Sequence, residues 1–318
     1  MLRTLVLAVS ALWLSAQVQA ADISPLVEAK WLDKHLNDEN QVVLDVRSSI
    51  DDGGDRDSFE AARIPGSRYS SYIEDGWREA RDDVAGLLPA IEPLQELIGS
   101  LGIDNDTTVV IVPAGTGPTD FGSAARIYWT FKTLGHDEVA ILDGGFAGWQ
   151  QQGFDTASGP VSAAEPKRFQ ASLREELIAT TEQVEQARQT QTQLVDARPS
   201  DYFTGETVSP AVRTAGTIPG ARNLPHQSHF GDRAGAYYLD KEGLASRINT
   251  AELDRNARTI TFCNTGHWAA TDWFVLSEVA GFDNVSMYDG SMAAWTISDS
   301  RPVQLARRGL ERLQEALD

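Results

Sequence analysis

Apolar residues cluster in short runs at residues 41–46, 107–112 and 139–142, and again at 193–197, 259–262 and 285–288. Runs of this length without polar alternation suit strands buried on both faces of a parallel sheet. Helical stripes lie between them. Ile91, Leu94, Leu97, Ile98 and Leu101 recur at three- and four-residue spacing, one apolar face of a helix. Residues 124–134 and 269–279 have the same character. Gly102, Gly135 and Gly281 stand where these helices should end, since glycine readily takes the left-handed conformation that closes a helix. The β-α-β alternation predicts an α/β fold of parallel sheets with helices on both faces.

The pattern occurs twice. Leu44-Asp45-Val46-Arg47 and Ile64-Pro65-Gly66 in the first half correspond to Val195-Asp196-Ala197-Arg198 and Ile218-Pro219-Gly220 in the second. Leu142-Asp143-Gly144-Gly145 with Trp149 recurs as Tyr288-Asp289-Gly290-Ser291 with Trp295, an offset of 146 positions (149 to 295). The pair Gly135 and Gly281 has the same offset. Two domain copies account for this; a solenoid needs about three or more stacked units. The expected boundaries are 21–153 and 179–300. A linker rich in proline and small residues spans 154–178, and a helix bearing Leu305, Leu310, Leu313 and Leu317 ends the chain over 301–318.

Residues 1–20 read as a signal peptide. Arg3 precedes an apolar run over residues 5–14, and Val18-Gln19-Ala20 supplies small residues for cleavage after Ala20. The run is far short of the ~20 residues that span a bilayer. The expected setting is therefore an exported one, the periplasm of a Gram-negative bacterium, with no stable membrane contact. The formal charge of −19, from 46 acidic and 27 basic residues, argues against nucleic acid as a partner. It also means that an anionic ligand would need locally concentrated positive charge.

The chain has one cysteine, Cys263, so it can form no internal disulfide. An odd thiol in an exported protein is a reactive group, half of an intermolecular bridge, or a small buried hydrophobe. Its neighbourhood favours the first. Cys263 directly follows the run 259–262, at the carboxyl end of a predicted strand, where ligands gather in open α/β sheets. Asn264-Thr265-Gly266-His267-Trp268 then lead into a helix. A turn between a strand and a helix exposes a side chain, directs backbone N–H groups inward and favours a thiolate. Gly266 suits the turn. His267 could carry a proton or attract an anion, or face solvent; Trp268 could wall a pocket or fill core. One cysteine and scattered histidines give no metal-ligand cluster. No third group is evident to orient a histidine for proteolysis. The loop also lacks the arginine that a phosphate cradle needs.

With both Asp-x-Arg boxes, both Ile-Pro-Gly turns, the stretch Gly99-Ser100-Leu101-Gly102-Ile103, both Asp-Gly-x-x-x-x-Trp endings and the Cys263 loop, the chain resembles the rhodanese family, in its tandem-domain form. The resemblance implies two rhodanese-like domains, each a parallel sheet flanked by helices on both faces. It also implies sulfur transfer through a Cys263 persulfide, from a small-molecule donor to cyanide or a thiol, with no cofactor. The first copy aligns Pro113 or Ala114 with Cys263 and should be inactive, forming one wall of a cleft between the domains.

The Asp45/Arg47 and Asp196/Arg198 boxes are expected to be structural pairs. Arg198 and Arg222 are the nearest cationic candidates for substrate binding beside Asn264, Thr265, Gly266, His267 and Trp268. His226 and His229 read as ordinary surface residues. Thiosulfate-preferring relatives usually carry basic residues after the cysteine, and mercaptopyruvate-preferring ones small residues with a late serine or threonine. Neutral Asn264 and Thr265 with His267-Trp268 match neither, and Asp201-Tyr202 replaces an arginine common in the former. Thiosulfate is favoured because the compartment can supply it and His267 can add charge. The competing readings are a persulfide carrier that hands sulfur to a protein acceptor, and a cysteine phosphatase.

Overall fold

The structure is a computed structural model and describes residues 23–305. The expected signal segment and most of the expected C-terminal helix lie outside the described residues. The first domain runs β1 (Leu26–Val27), α1 (Ala29–His35), β2 (Gln41–Asp45), α2 (Arg56–Ala61), β3 (Arg68–Tyr69), a hairpin of β4 (Glu79–Arg81) and β5 (Val84–Leu87), α3 (Ile91–Ser100), β6 (Thr108–Val112), α4 (Pro118–Thr133), β7 (Val139–Leu142) and α5 (Gly145–Gln151). Its sheet is parallel throughout, in the order β1-β7-β6-β2-β3.

The second domain repeats the plan with α6 (Thr181–Ala187), β8 (Gln193–Asp196), α7 (Ser200–Thr204), β9 (Arg222–Asn223), a hairpin of β10 (Phe230–Arg233) and β11 (Ala236–Leu239), α8 (Leu244–Thr250), β12 (Thr259–Phe262), α9 (Trp268–Phe274), β13 (Val285–Met287) and α10 (Ser291–Trp295). Its order, β13-β12-β8-β9, is again parallel. It superposes in sense on β7-β6-β2-β3. In place of β1 a single residue, Ile178, bridges Met287 in parallel.

All six apolar runs form strands, and the helices differ from expectation at their ends. The helix expected to begin at 124 begins at Pro118, because proline suits the first helical position, where its missing N–H costs nothing. The helix expected over 269–279 is α-helical only to Phe274 and continues as a π-helical turn over Val275–Val279. Val303 to Leu305 are not helical: Gln304 pairs antiparallel with Thr217. The connection 154–178 is no loose linker. Ala157 bridges Arg63, Lys167 N–H reaches Gly99 O at 2.9 Å and Ser172 N–H reaches Leu134 O at 2.8 Å, so it straps the first domain before Ile178 joins the second sheet.

The domains share one core. α4 is buried along nearly its whole length, against α9. Phe121 and Tyr128 of α4 pack on Phe274, with ring centroids 5.7 and 4.9 Å away. Because α4 and α9 each follow the central strand of their sheet, both strand-end loops lie at this interface.

The hairpins are exchanged across it. Leu88 N–H, just beyond β5, donates to Asp289 Oδ2 of the second domain at 2.7 Å. Leu239 N–H, at the end of β11, donates to Asp143 Oδ1 of the first at 3.0 Å. Asp143 and Asp289 are the repeat-related aspartates of the Asp-Gly endings.

Candidate active site

Strand pairing settles which residue of the first copy matches Cys263. Phe262 lies opposite Asp196 as Val112 lies opposite Asp45, so Cys263 corresponds to Pro113. The carbonyl of each accepts from the helix after the Asp-Gly turn: Met292 N–H to Cys263 O at 3.0 Å, Phe146 N–H to Pro113 O at 2.9 Å. The first-copy loop holds its own carboxylate. Asp120 is fully buried and accepts from Gly115 N–H at 2.7 Å. Burial pushes its pKa up to about 7 against the pull of the loop amides.

Cys263 is only 1% exposed, yet it lines a cavity of about 280 Å³ between the domains. Asn264, Thr265, His267 and Trp268 line it too, so the loop expected at the site is there. Gly266 shapes it from behind at φ +74°, with Arg126 Nη1 and Asp289 O both 2.5 Å from where a Cβ would stand. A larger cavity, about 640 Å³, lies at the outer edge of the first sheet beside Trp31 and His35. It has no cysteine, whereas Cys263 lines the smaller one.

Ser291 organises the loop from below. Its Oγ accepts from Cys263 N–H at 3.0 Å and Gly266 N–H at 3.1 Å, donates to Tyr288 O at 2.8 Å and stands 4.0 Å from Cys263 Sγ. It does so from φ +50°, close to the +56° of its counterpart Gly145. A side chain in the left-handed region costs roughly 1–2 kcal/mol. The repeat carried the signal for this residue, a serine where the first copy has glycine.

His267 is buried and neutral. Its Nε2 donates to Thr119 O at 2.8 Å, which leaves Nδ1 to accept from the Tyr72 hydroxyl, also at 2.8 Å. Burial, reinforced by Arg78, pushes its pKa down to about 3. It therefore adds no charge, contrary to expectation. Gly122 makes room for it, since a Cβ there would meet the imidazole Nε2 at 2.7 Å.

Trp268 forms an aromatic wall. It stacks on His226 with ring centroids 4.6 Å apart and meets the edge of Tyr202 at 5.9 Å. His226 and His229 are buried rather than on the surface. His226 Nδ1 donates to Ala197 O at 3.1 Å, and burial lowers its pKa to about 4. His229 Nε2 lies 3.1 Å from Asp272 Oδ1. Burial drives this pair apart in pKa, His229 down to about 3 and Asp272 well up, each toward its neutral form.

The cationic candidates move. Arg198 is buried against Asp196, with Nε 2.9 Å from Oδ1 and Nη2 2.6 Å from Oδ2, and Arg47 holds Asp45 in the same way at 2.9 and 2.5 Å. Both boxes are ion pairs at the strand ends. Arg198 touches the site only through Asn264 Oδ1, 3.4 Å from Nη1. Arg222 turns away, its Nη1 on Gln193 Oε1 and the carbonyl of Glu252. Gln193 opens β8 and Asp196 closes it, so Arg222 serves the end of the sheet opposite Cys263.

Positive charge comes instead from the first domain. Arg126 of α4 is fully buried, donates through Nη1 to Gly266 O at 3.1 Å and places Nη2 3.7 Å from Asp289 Oδ2. Arg78 lines the cavity itself. Tyr72, Thr119, Arg126 and Arg78 went unread in the sequence because they approach the loop only through the fold.

Residues 28–152 and 180–298 each match the Rhodanese-like domain family. A Mycobacterium leprae protein provisionally named a thiosulfate sulfurtransferase is 31% identical over 294 residues, covering 88% of this chain and 97% of its own. A Saccharopolyspora erythraea protein of the same provisional name is 33% identical over 285 residues, covering 85% and 92%. Among solved structures, the 3-mercaptopyruvate enzyme SseA from Escherichia coli has a TM-score of 0.72 at 25% identity, over 85% of this chain and 99% of its own. The anaerobic ergothioneine biosynthesis enzyme from Chlorobium limicola has a TM-score of 0.75 at 19% identity, over 89% and 71%, a likeness of fold. Two matched domains, a Cys263 loop at the end of the second sheet and a repeat-related loop at Pro113 place this chain in the rhodanese family.

Proposed function

We propose that the protein is a sulfurtransferase in which Cys263 carries the transferred sulfur as a persulfide. One observation carries this reading: the chain's single cysteine sits at a cavity between two like domains, with its backbone N–H held by Ser291 and proline in its place in the other copy. This is covalent catalysis in two half-reactions. The Cys263 thiolate attacks the sulfane sulfur of thiosulfate, the S–S bond of the donor breaks, and sulfite leaves with the electron pair. The resulting persulfide anion then yields its outer sulfur to cyanide, releasing thiocyanate and restoring the thiolate, or to a thiol, which becomes the persulfide.

Thiosulfate remains the favoured donor, supported by the names of the relatives and not by charge on His267. With 3-mercaptopyruvate the same attack leaves pyruvate, and the thiol proton ends on its methyl group. The carrier reading has less support, because a protein acceptor would have to reach a sulfur that is 1% exposed. The proposed setting is the periplasm, supported by the amino-terminal pattern.

Intact-mass measurement after donor exposure tests the reading. The full chain should gain one sulfur atom, Cys263→Ser should gain none, and cyanide should remove it with formation of thiocyanate. A thiol left unmodified by thiosulfate, 3-mercaptopyruvate and polysulfide alike would sink the proposal. Cys263-dependent turnover of an aryl phosphate would point to phosphatase chemistry instead.

A further inference from the structure

The arginines around the site are committed, except one. Arg198 is neutralised by Asp196, Arg126 is spent on Gly266 and Asp289, and Arg222 faces away. Arg78, on the segment leading into β4, makes no hydrogen bond or ion pair among the described residues. Its Nε is buried without a partner. Its guanidinium carbon lies 4.6 Å from the centroid of the Tyr72 ring, a contact that orients the fork without using its donors.

The surroundings give this arrangement meaning. The chain carries 46 acidic residues, yet none of those described lines the cavity. Among the described residues Arg78 is the one arginine or lysine lining it, and His267 stays neutral. The hydroxyl-bearing residues Thr119, Tyr202, Ser209 and Thr265 share the wall. A cavity of about 280 Å³ sits below the ~300–1,000 Å³ usual for drug-sized ligands, so it takes a small molecule. An unpaired guanidinium presents parallel donors that match the oxygens of a carboxylate or sulfonate.

We propose that Arg78 selects the sulfur donor by binding its anionic group, so that the inactive first domain sets the substrate class: a small oxyanion whose sulfane or thiol sulfur lies within a few bonds of its charge. The proposal deepens the sulfurtransferase reading and rests on it. Thiosulfate and 3-mercaptopyruvate share this chemistry, one through a sulfonate-like group and the other through a carboxylate. Arg78 is a binding residue, and its effect should fall on KM more than on kcat.

The experiment pairs sulfur loading with a probe that needs no sulfur transfer. Rates of Cys263 modification are measured in the full chain and in Arg78→Gln and Arg78→Lys, using thiosulfate, 3-mercaptopyruvate, iodoacetate and its uncharged analogue iodoacetamide. In Arg78→Gln, kcat/KM for both donors should fall about 10- to 100-fold, the loss expected for a charge-assisted contact. Alkylation by iodoacetate should fall relative to iodoacetamide, and Arg78→Lys should lie between. The donor that loses more identifies which oxyanion the site fits. Parallel loss of iodoacetate and iodoacetamide reactivity, or unchanged selectivity in both variants, overturns the proposal. If no donor loads Cys263 in the unaltered chain while the iodoacetate preference still depends on Arg78, the sulfurtransferase reading falls and the anion site stands.

Discussion

The Tyr72 hydroxyl and the His267 imidazole meet at 2.8 Å from different domains, so both ring nitrogens of the loop histidine are paired. Nε2 donates to Thr119 O, so Nδ1 must accept. Tyr72→Phe should leave that buried nitrogen unpaired, at a cost of about 1–3 kcal/mol. Urea unfolding would measure the loss, and sulfur loading should slow as the loop loosens. Unchanged stability would mean the contact contributes nothing net.

The histidines predict how stability responds to acid. His267 and His229 have pKa values near 3 and His226 near 4, below the ordinary value of about 6.5. As pH falls through this window the unfolded chain takes up protons that the folded chain refuses, so folding weakens. Asp120 works in the opposite sense. Its pKa, raised to about 7, makes its contribution fade as pH rises from about 3.8 through 7. The raised carboxyls of Asp45, Asp143 and Asp272 also work against the histidines, so the test is a difference: between pH 6.5 and 4, acid should lower the urea midpoint of the unaltered chain more, or raise it less, than that of His267→Gln. An identical slope in the variant would contradict a neutral, buried His267. The pH profile of sulfur loading should show no step belonging to His267 near 6.5.

Ser291 satisfies two loop amides at once. Ser291→Ala should strand both and keep the left-handed strain, costing about 2 kcal/mol or more. Ser291→Gly should relieve the strain and lose the hydroxyl, so it should be the more stable variant while loading sulfur as slowly as Ser291→Ala. Equal stability of the two would show that φ +50° carries no penalty here.

Gly86 of β5 lies far from Cys263 in sequence yet against its loop. A Cβ there would meet Thr265 O at 2.3 Å, and the residue has φ +87°. Gly86→Ala should therefore push the first-domain hairpin off the Cys263 loop and lower kcat/KM for sulfur transfer by tenfold or more, about 1.4 kcal/mol of transition-state binding. Wild-type kinetics in this variant would separate the hairpin from the site.

Arg198 should behave differently from Arg78. Removing it leaves Asp196, which is 0% exposed, as an uncompensated buried charge worth about 3–5 kcal/mol. Arg198→Ala should thus be found chiefly as lost stability, with little change in the relative reactivity of anionic and neutral reagents. A selective loss of anionic donors would return Arg198 to the binding site.

Much of the fold was legible in the sequence because strands buried on both faces read as unbroken apolar runs, and the repeat tested each one against its partner. Cys263 was legible for the same reasons, with the added weight of being alone. Arg222 was misread because nearness in sequence to a strand says nothing about which end of the sheet a long side chain reaches. Arg78, Tyr72 and Arg126 were not legible at all. Tyr72 is 195 residues from His267, and only the packing of α4 on α9 brings their segments together. Ser291 lay between these cases: the repeat displayed it, but its meaning needed the glycine-like backbone of Gly145.

The reciprocal clasp of Asp289 on Leu88 and Asp143 on Leu239 gives the interface the logic of a twofold homodimer, in which one patch meets its own copy. Here both copies are covalently joined, so each can diverge without losing its partner. The Cys263 loop, in turn, is walled by residues of the first domain. Severing the chain between the halves would therefore leave the Cys263 loop without its far wall.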